Sequence, residues 1–268
     1  MTLPALILSA TALLCLVFAV LYAVARKIDN YGIVDIAWAF SFALSALFFA
    51  LTTRGWPVRR GMVAVLAALW SLRLGGHLYR RVMGHHPVED GRYQQLRRDW
   101  AGHFAWKMFG FFQLQALSVV GLSLPFVLVA HNPSPHWHPL ETAGVALWLL
   151  AICGETVADH QLNRFKRDPA QRGRVCATGL WRYSRHPNYF FEWLVWVAWF
   201  VLASASPWGW LSLICPAVIL CLLLRVTGIP LTEEQSLRSK GDAYRRYQQT
   251  TSAFVPWWPK QQRVAGRE

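Results

Sequence analysis

The fold class this sequence predicts is an all-α integral membrane protein, a bundle of seven transmembrane helices, and three observations carry it. Hydrophobic residues make up 54% of the 268 and charged residues only 15%, with a mean hydropathy of +0.26, too apolar for a chain that must face water on all sides. Apolar stretches recur along the whole length. At about 1.5 Å per helical residue, most are long enough to cross a hydrocarbon core of about 30 Å. Lys and Arg, finally, collect in alternate connections between those stretches rather than spreading evenly.

The first stretch, 3–25, has no basic segment before it and no small-residue cleavage site, so it reads as a retained helix and not a signal peptide. The second, 33–51, opens with Asp35 and Trp38. Asp35 is either an interfacial carboxylate paired with Arg26 or Arg73, or a functional group. The third, 62–78, is short and carries Arg73 with His77 one turn on, both on one face. Arg73 lies near enough to the end of this stretch to snorkel. The connection that follows holds Glu89-Asp90-Gly91-Arg92-Tyr93, a compact turn of mixed charge in which Tyr93 is a candidate donor to a carbonyl.

The fourth stretch is 104–130 and the fifth 142–162. Glu155 and Asp159 sit four apart on one helix face of the fifth, where like charges repel unless something positive lies between them. Lys166 follows two turns later, near the rim, where it suits a phosphate. The sixth and seventh stretches, 188–205 and 208–226, meet at Ser206-Pro207 in a tight hairpin. Beyond them, 233–247 reads as an amphipathic helix with Leu237, Tyr244 and Tyr247 at helical spacing, and Ala253-Phe254-Val255-Pro256-Trp257-Trp258 folds back on the membrane surface. The whole is expected to be one membrane domain over 1–268, with a tail from 227.

The net charge of +13 invites a nucleic-acid reading, but its distribution argues against one. Basic residues follow the first stretch (Arg26, Lys27), the third (Arg80 to Lys107), the fifth (Arg164 to Arg185) and the seventh (Arg238 to Arg267), against Arg54, Arg59 and Arg60 on the other side. The positive-inside rule then puts the N-terminus outside and the C-terminus in the cytoplasm. The charge serves topology and headgroup attraction, and no nucleic acid is expected as a partner. The five cysteines form no CxxC pair and mostly lie in apolar runs, so neither a metal site nor a disulfide framework is indicated.

The densest chemistry lies in 179–196, where Arg182, Tyr183, Arg185, His186, Asn188, Tyr189 and Glu192 precede or enter an apolar run. Pro187 turns His186 away from helix, so a helix should begin here with Asn188 near its cap. Free N–H groups at that start, beside two arginines and a histidine, make a plausible anion-binding mouth. Arg182 and Arg185 also fit a plain loop charge bias. Glu192 does not, because a carboxylate one turn inside an apolar segment needs a partner or a cavity. Glu233 and Glu234 either complement a helix dipole or orient a ligand at this mouth.

Taken together, Val34-Asp35-Ile36-Ala37-Trp38, Arg73-Leu74-Gly75-Gly76-His77-Leu78, Glu89-Asp90-Gly91-Arg92-Tyr93, Gln115, Pro125, Glu155 with Asp159-His160-Gln161-Leu162, Phe165-Lys166, Gly179-Leu180-Trp181, the Arg185-His186-Pro187-Asn188-Tyr189 run and Ser252-Ala253-Phe254-Val255-Pro256 resemble the steroid 5-alpha-reductase-like DUF1295 family over nearly the whole chain. The wider superfamily joins NADPH-dependent steroid and sterol reductases to isoprenylcysteine carboxyl methyltransferases, which use S-adenosylmethionine. The resemblance implies a cofactor cleft on the cytoplasmic side of the bundle, in a bacterial inner membrane.

It further implies reduction by NADPH of an activated, enone-like C=C bond in a lipophilic substrate, steroid- or isoprenoid-like. Glu155, Asp159, Lys166, Tyr183, Asn188 and Glu192 match positions around NADPH in the reductases, to which Arg182, Arg185, His186, Tyr189, Glu233, Glu234 and Tyr247 are added as candidate cofactor-binding residues. Asp35 and Tyr93 are the candidate catalytic residues. Two departures stand against steroid specificity. The Gln-Glu-Leu-Pro motif is absent, and Leu78 occupies the place of the reductases' catalytic Tyr. Arg185-His186-Pro187, Glu233-Glu234 and the tail are similar to the methyltransferases, so methyl transfer from S-adenosylmethionine is the alternative; a non-enzymatic membrane protein is the remote one.

Overall fold

The computed structural model describes residues 1–84 and 86–260. Arg263 and Arg267, counted above among the cytoplasmic charges, lie outside the described residues. The fold is all-helical, and among the described residues its only extended pairing is an isolated parallel bridge between Ser184 and Ser252. The helices are α1 (Leu3–Ile28), α2 (Ile33–Thr52), α3 (Pro57–Met83), α4 (Gly91–Asp99), α5 (Phe104–Leu122), α6 (Leu124–His131), α7 (Pro139–Arg167), α8 (Pro187–Ala203), α9 (Ile214–Cys221) and α10 (Ile229–Thr250).

Among the described residues, six helical stretches are long and apolar enough to cross a membrane: Leu3–Ile28, Ile33–Thr52, Pro57–Met83, Ala101–His131, Pro139–Arg167 and Gly209–Thr250. That is consistent with an integral membrane protein. In the place of the expected stretch 188–205 stands α8, whose 17 residues extend about 26 Å. The chain packs as two compact units, Met1–His138 with Ala203–Gly209, and Pro139–Leu202 with the chain from Trp210 onward.

In the first unit, α1, α2, α3 and α5 bury one face each. Leu6, Ala10, Leu14 and Phe18 recur along the inner face of α1, while Leu8, Leu16 and Val20 stay exposed on the other. An exposed apolar stripe of this kind is costly in water and ordinary in hydrocarbon. Edge-to-face aromatic pairs join the helices: Tyr22 meets Phe109 and Phe112, and Phe42 meets Trp38 and Trp70. Ser71 Oγ on α3 donates to the Ala39 carbonyl on α2 at 2.5 Å, a polar tie that satisfies a hydroxyl inside apolar surroundings. Arg59, 1% exposed, donates to the Ser134 and His136 carbonyls, so this buried cation is held by backbone dipoles.

Two local features differ from expectation. The stretch 104–130 breaks at Ser123, because Pro125 has no N–H to continue the ladder, and gives α5 and α6. The polar connection after α3 is also more than a turn. Asp90 accepts the Arg92 N–H at 3.0 Å and caps α4, a nine-residue helix.

In the second unit, α7 and α8 approach closely. A Cβ at Gly144 would stand 2.6 Å from Leu202, and one at Gly154 2.4 Å from Phe191. Trp193 Nε1 donates to the Pro216 carbonyl, tying α8 to α9. A π turn, Leu222–Val226, ends the apolar run, and Gly228 opens α10. That helix covers the expected 233–247 segment, kinks at Gly241 and buries Tyr244 and Tyr247.

Candidate functional site

The second unit gathers most of the sequence-predicted residues around 179–189. Gly179 has φ +58, and a Cβ there would fall 2.5 Å from the Gln161 amide; only glycine fits. Gln161 Oε1 accepts the Leu180 N–H at 2.9 Å, and Trp181 Nε1 donates to the Ala158 carbonyl. The turn Gly179–Arg182 is thereby fixed to α7. From the other side, residues 252–257 run along it: Arg185 N donates to the Ser252 carbonyl, Ser184 Oγ to that of Phe254, and Trp257 N to that of Tyr183. Tyr247 donates to the Trp181 carbonyl and lies 3.2 Å from that of Ser184. The closing motif at the chain's end and the Arg-His-Pro-Asn-Tyr run are one local structure.

Helix α8 begins at Pro187, whose fixed φ and missing N–H suit a first helical position. Asn188 is therefore the second residue of the helix, next to its start as expected, and its Nδ2 reaches Asp159 Oδ1 at 3.4 Å. Arg185 makes three bonds: Nε donates to Glu233 Oε1 at 2.6 Å, and Nη1 to the Gln248 and Thr251 carbonyls at 3.0 and 2.6 Å. The ring of His186, 2% exposed, lies 3.2 Å from the same Glu233 oxygen and stacks on Tyr189, while Gln248 holds Glu233 Oε2. Tyr189 pairs with Thr232, Tyr183 packs edge-on against Trp258, and Trp196 Nε1 donates to Glu192 Oε1 at 3.1 Å. Glu155 is buried, and Arg182 is exposed. Glu234 points outward to Arg238 and is not drawn into the cluster.

Lys166 meets a residue that sequence reasoning missed. Burial most disfavours the ammonium of Lys240 on α10, the charge of Lys166 adds to it, and both lysines act on the thiol of Cys176, 5% exposed. Burial pushes the Cys176 thiol up, and hydrogen bonds from Thr178 and the charges of Lys240 and Lys166 do not offset it. Gln248 and Thr251 were missed as well. No motif spacing points to them, because their parts are set by the fold of the tail.

In the first unit, Asp35 and Tyr93 do come together. Tyr93 donates from its hydroxyl to Asp35 Oδ1 at 2.7 Å, and Arg92 reaches Oδ2 at 2.7 Å. Arg81 spans Asp35 and Asp90 at 3.5 and 3.2 Å. The cations on Asp35 are thus Arg92 and Arg81, not Arg26 or Arg73. Burial pushes the Tyr93 phenol well up, and the Asp35 charge adds to it, so the phenol keeps its proton at neutral pH. For Asp90, burial opposes ionisation, yet the Arg92 amide and guanidinium with Arg81 outweigh it and hold the carboxyl below its usual value. One turn on, Arg97 binds Glu89 and Asp29 at 2.7 Å each and lies over the Tyr31 and Phe104 rings, which straps α4 to the turn between α1 and α2. Among the described residues no group of His, Cys, Asp and Glu has the arrangement of a metal site.

The family model described as "Protein of unknown function (DUF1295)" matches residues 21–251. The chain belongs to that family. Its match takes in both clusters and ends one residue before Ser252. The chain is also similar to the uncharacterized protein C594.04c of Schizosaccharomyces pombe, at 27% identity over 270 residues, covering 88% of this chain and 76% of the yeast protein. No solved structure matches it.

Proposed function

We propose that this DUF1295 protein is a membrane reductase that uses NADPH on an activated, enone-like C=C bond in a lipophilic, steroid- or isoprenoid-like substrate. The observation that carries the reading is the placement of Lys166 beside Lys240. Burial, and after it the charge of Lys166, disfavours the Lys240 ammonium; an anion beside it would offset both, and NADPH brings phosphates to such a place. S-adenosylmethionine brings none. Bound NADPH would supply a hydride. Lys166, Lys240 and the exposed Arg182 would take its phosphates, while Asp159 with Asn188, Glu155 and Glu192 would meet ribose and amide groups. Arg185, His186 and Glu233, already bound to one another, would hold the mouth in shape together with Tyr183, Tyr189 and Tyr247.

Tyr93, kept protonated by burial and by Asp35, would turn its one O–H from Asp35, which Arg92 and Arg81 keep paired, to an oxygen gaining negative charge in the substrate. The surrounding helices would exclude water. In this reading α8 serves as the seventh crossing, and the tail faces the cytoplasm of a bacterial cell.

Calorimetric titration of the purified chain in mild detergent tests the proposal. NADPH is expected to bind, and Lys166→Ala and Lys240→Ala each to weaken it about tenfold, the size of one charge-assisted contact. S-adenosylmethionine binding with no response to NADPH would overturn the reading in favour of the methyltransferase alternative. That alternative has one observation of its own, the Arg185–Glu233 link between the Arg-His-Pro run and the tail.

A further inference from the structure

We infer that the exposed face of α7 holds the phosphate of an anionic phospholipid headgroup, through Arg164 and Arg167 with His160 and Asn163. These four residues line a hollow of about 450 Å³. Their spacing of three, four and seven puts them on one helix face within two turns, and all four are exposed. None of the four forms an ion pair among the described residues, whereas Arg81, Arg92, Arg97 and Arg185 are all spent on carboxylates. Arginine's planar fork matches phosphate oxygens two at a time.

What lies N-terminal to the hollow names the occupant. The same face continues as Leu149, Cys153 and Val157, all exposed, with Leu149 52% and Val157 46% open. An apolar stripe that runs directly into unneutralised arginines has the polarity of a lipid, acyl chains along the first part and headgroup at the second. A soluble phosphate would need only the second part. The face is also distinct from that of Glu155, Asp159 and Lys166. At 3.6 residues per turn the two are separated by roughly 110° about the helix axis, so the inference does not depend on the proposed cofactor.

Native mass spectrometry of the full chain in neutral detergent tests it, with phosphatidylglycerol, phosphatidylcholine or inorganic phosphate added. The wild type is expected to retain phosphatidylglycerol in preference to phosphatidylcholine. The R164Q/R167Q variant should hold phosphatidylglycerol roughly thirtyfold more weakly, about fivefold for each charge lost near an anionic surface, with phosphatidylcholine unchanged. Equal retention of the two lipids by the wild type overturns the proposal whatever the variant does. So does undiminished phosphatidylglycerol binding by the variant. Displacement of phosphatidylglycerol by an equal concentration of inorganic phosphate would assign the hollow to a soluble anion instead.

Discussion

Glu233→Gln is the substitution that most directly probes how the 179–189 region is held. The Glu233 carboxylate accepts from Arg185 at 2.6 Å and from Gln248 at 2.8 Å, with His186 at 3.2 Å, and the side chains of Arg185 and Glu233 are only 10% and 15% exposed. Removing one partner of a buried ion pair costs about 3–5 kcal/mol, because the other charge is left without compensation. Arg185 keeps the carbonyls of Gln248 and Thr251, and the amide preserves shape, so we expect about 2–3 kcal/mol here. For a chain of this size that is a fall of roughly 5–10 °C in the midpoint of thermal unfolding. Tryptophan fluorescence in mild detergent reads it, with Glu234→Gln as the control. Glu234 is 57% exposed and its partner Arg238 78% exposed, so that change should stay within about 0.5 kcal/mol. Equal shifts for the two variants would refute the view that Glu233 is a structural keystone.

Gly179→Ala places a β-carbon 2.5 Å from Gln161 at φ +58 and should lower stability by about 1–3 kcal/mol, read by the same melting curves. Tyr93→Phe removes one hydrogen bond to Asp35, which keeps Arg92; about 1 kcal/mol of stability should go, and NADPH affinity by calorimetry should not change while turnover falls. Asp90 has a folded pKa below its unfolded value, so its ionised form favours the folded state at neutral pH. That contribution is present above about pH 4 and is lost as pH falls through the lower folded value. The melting difference between wild type and Asp90→Asn is therefore expected to be present at neutral pH and to close as pH falls through the lowered folded value. A difference independent of pH would rule out the charge as its source.

Much of this architecture was open to reading from residue order, because lipid and water impose patterns that one dimension records. The apolar runs predicted α1, α2, α3 and α7 to within a few residues at most ends. The polar helix α4 was hidden for the converse reason: its nine residues have only Tyr93 to bury, so no hydrophobic period announces it, though Asp90 ahead of Gly91 is a capping signal. Asp35 and Tyr93 could be singled out separately, yet their direct bond crosses 58 residues of sequence and depends on how α4 docks. Arg185 is the instructive case. Its position in an exposed-looking basic motif suggested ligand binding, whereas tertiary folding spends the guanidinium on Glu233 and two carbonyls of the tail. Lys240 gave no signal at all, since a lone lysine on a polar helix is indistinguishable from its neighbours until the fold sets it beside Lys166.

The pairing of 252–257 along 183–185 has a bearing on biosynthesis. The helices up to α9 can enter the bilayer as the ribosome delivers them, but the loop ahead of α8 has no edge to zip against until Trp257 has been translated. Polypeptides cut short before Ser252 would reach the membrane with their spans inserted and this corner still open. A carboxy-terminal fusion therefore belongs after Trp258, where it leaves those backbone bonds untouched.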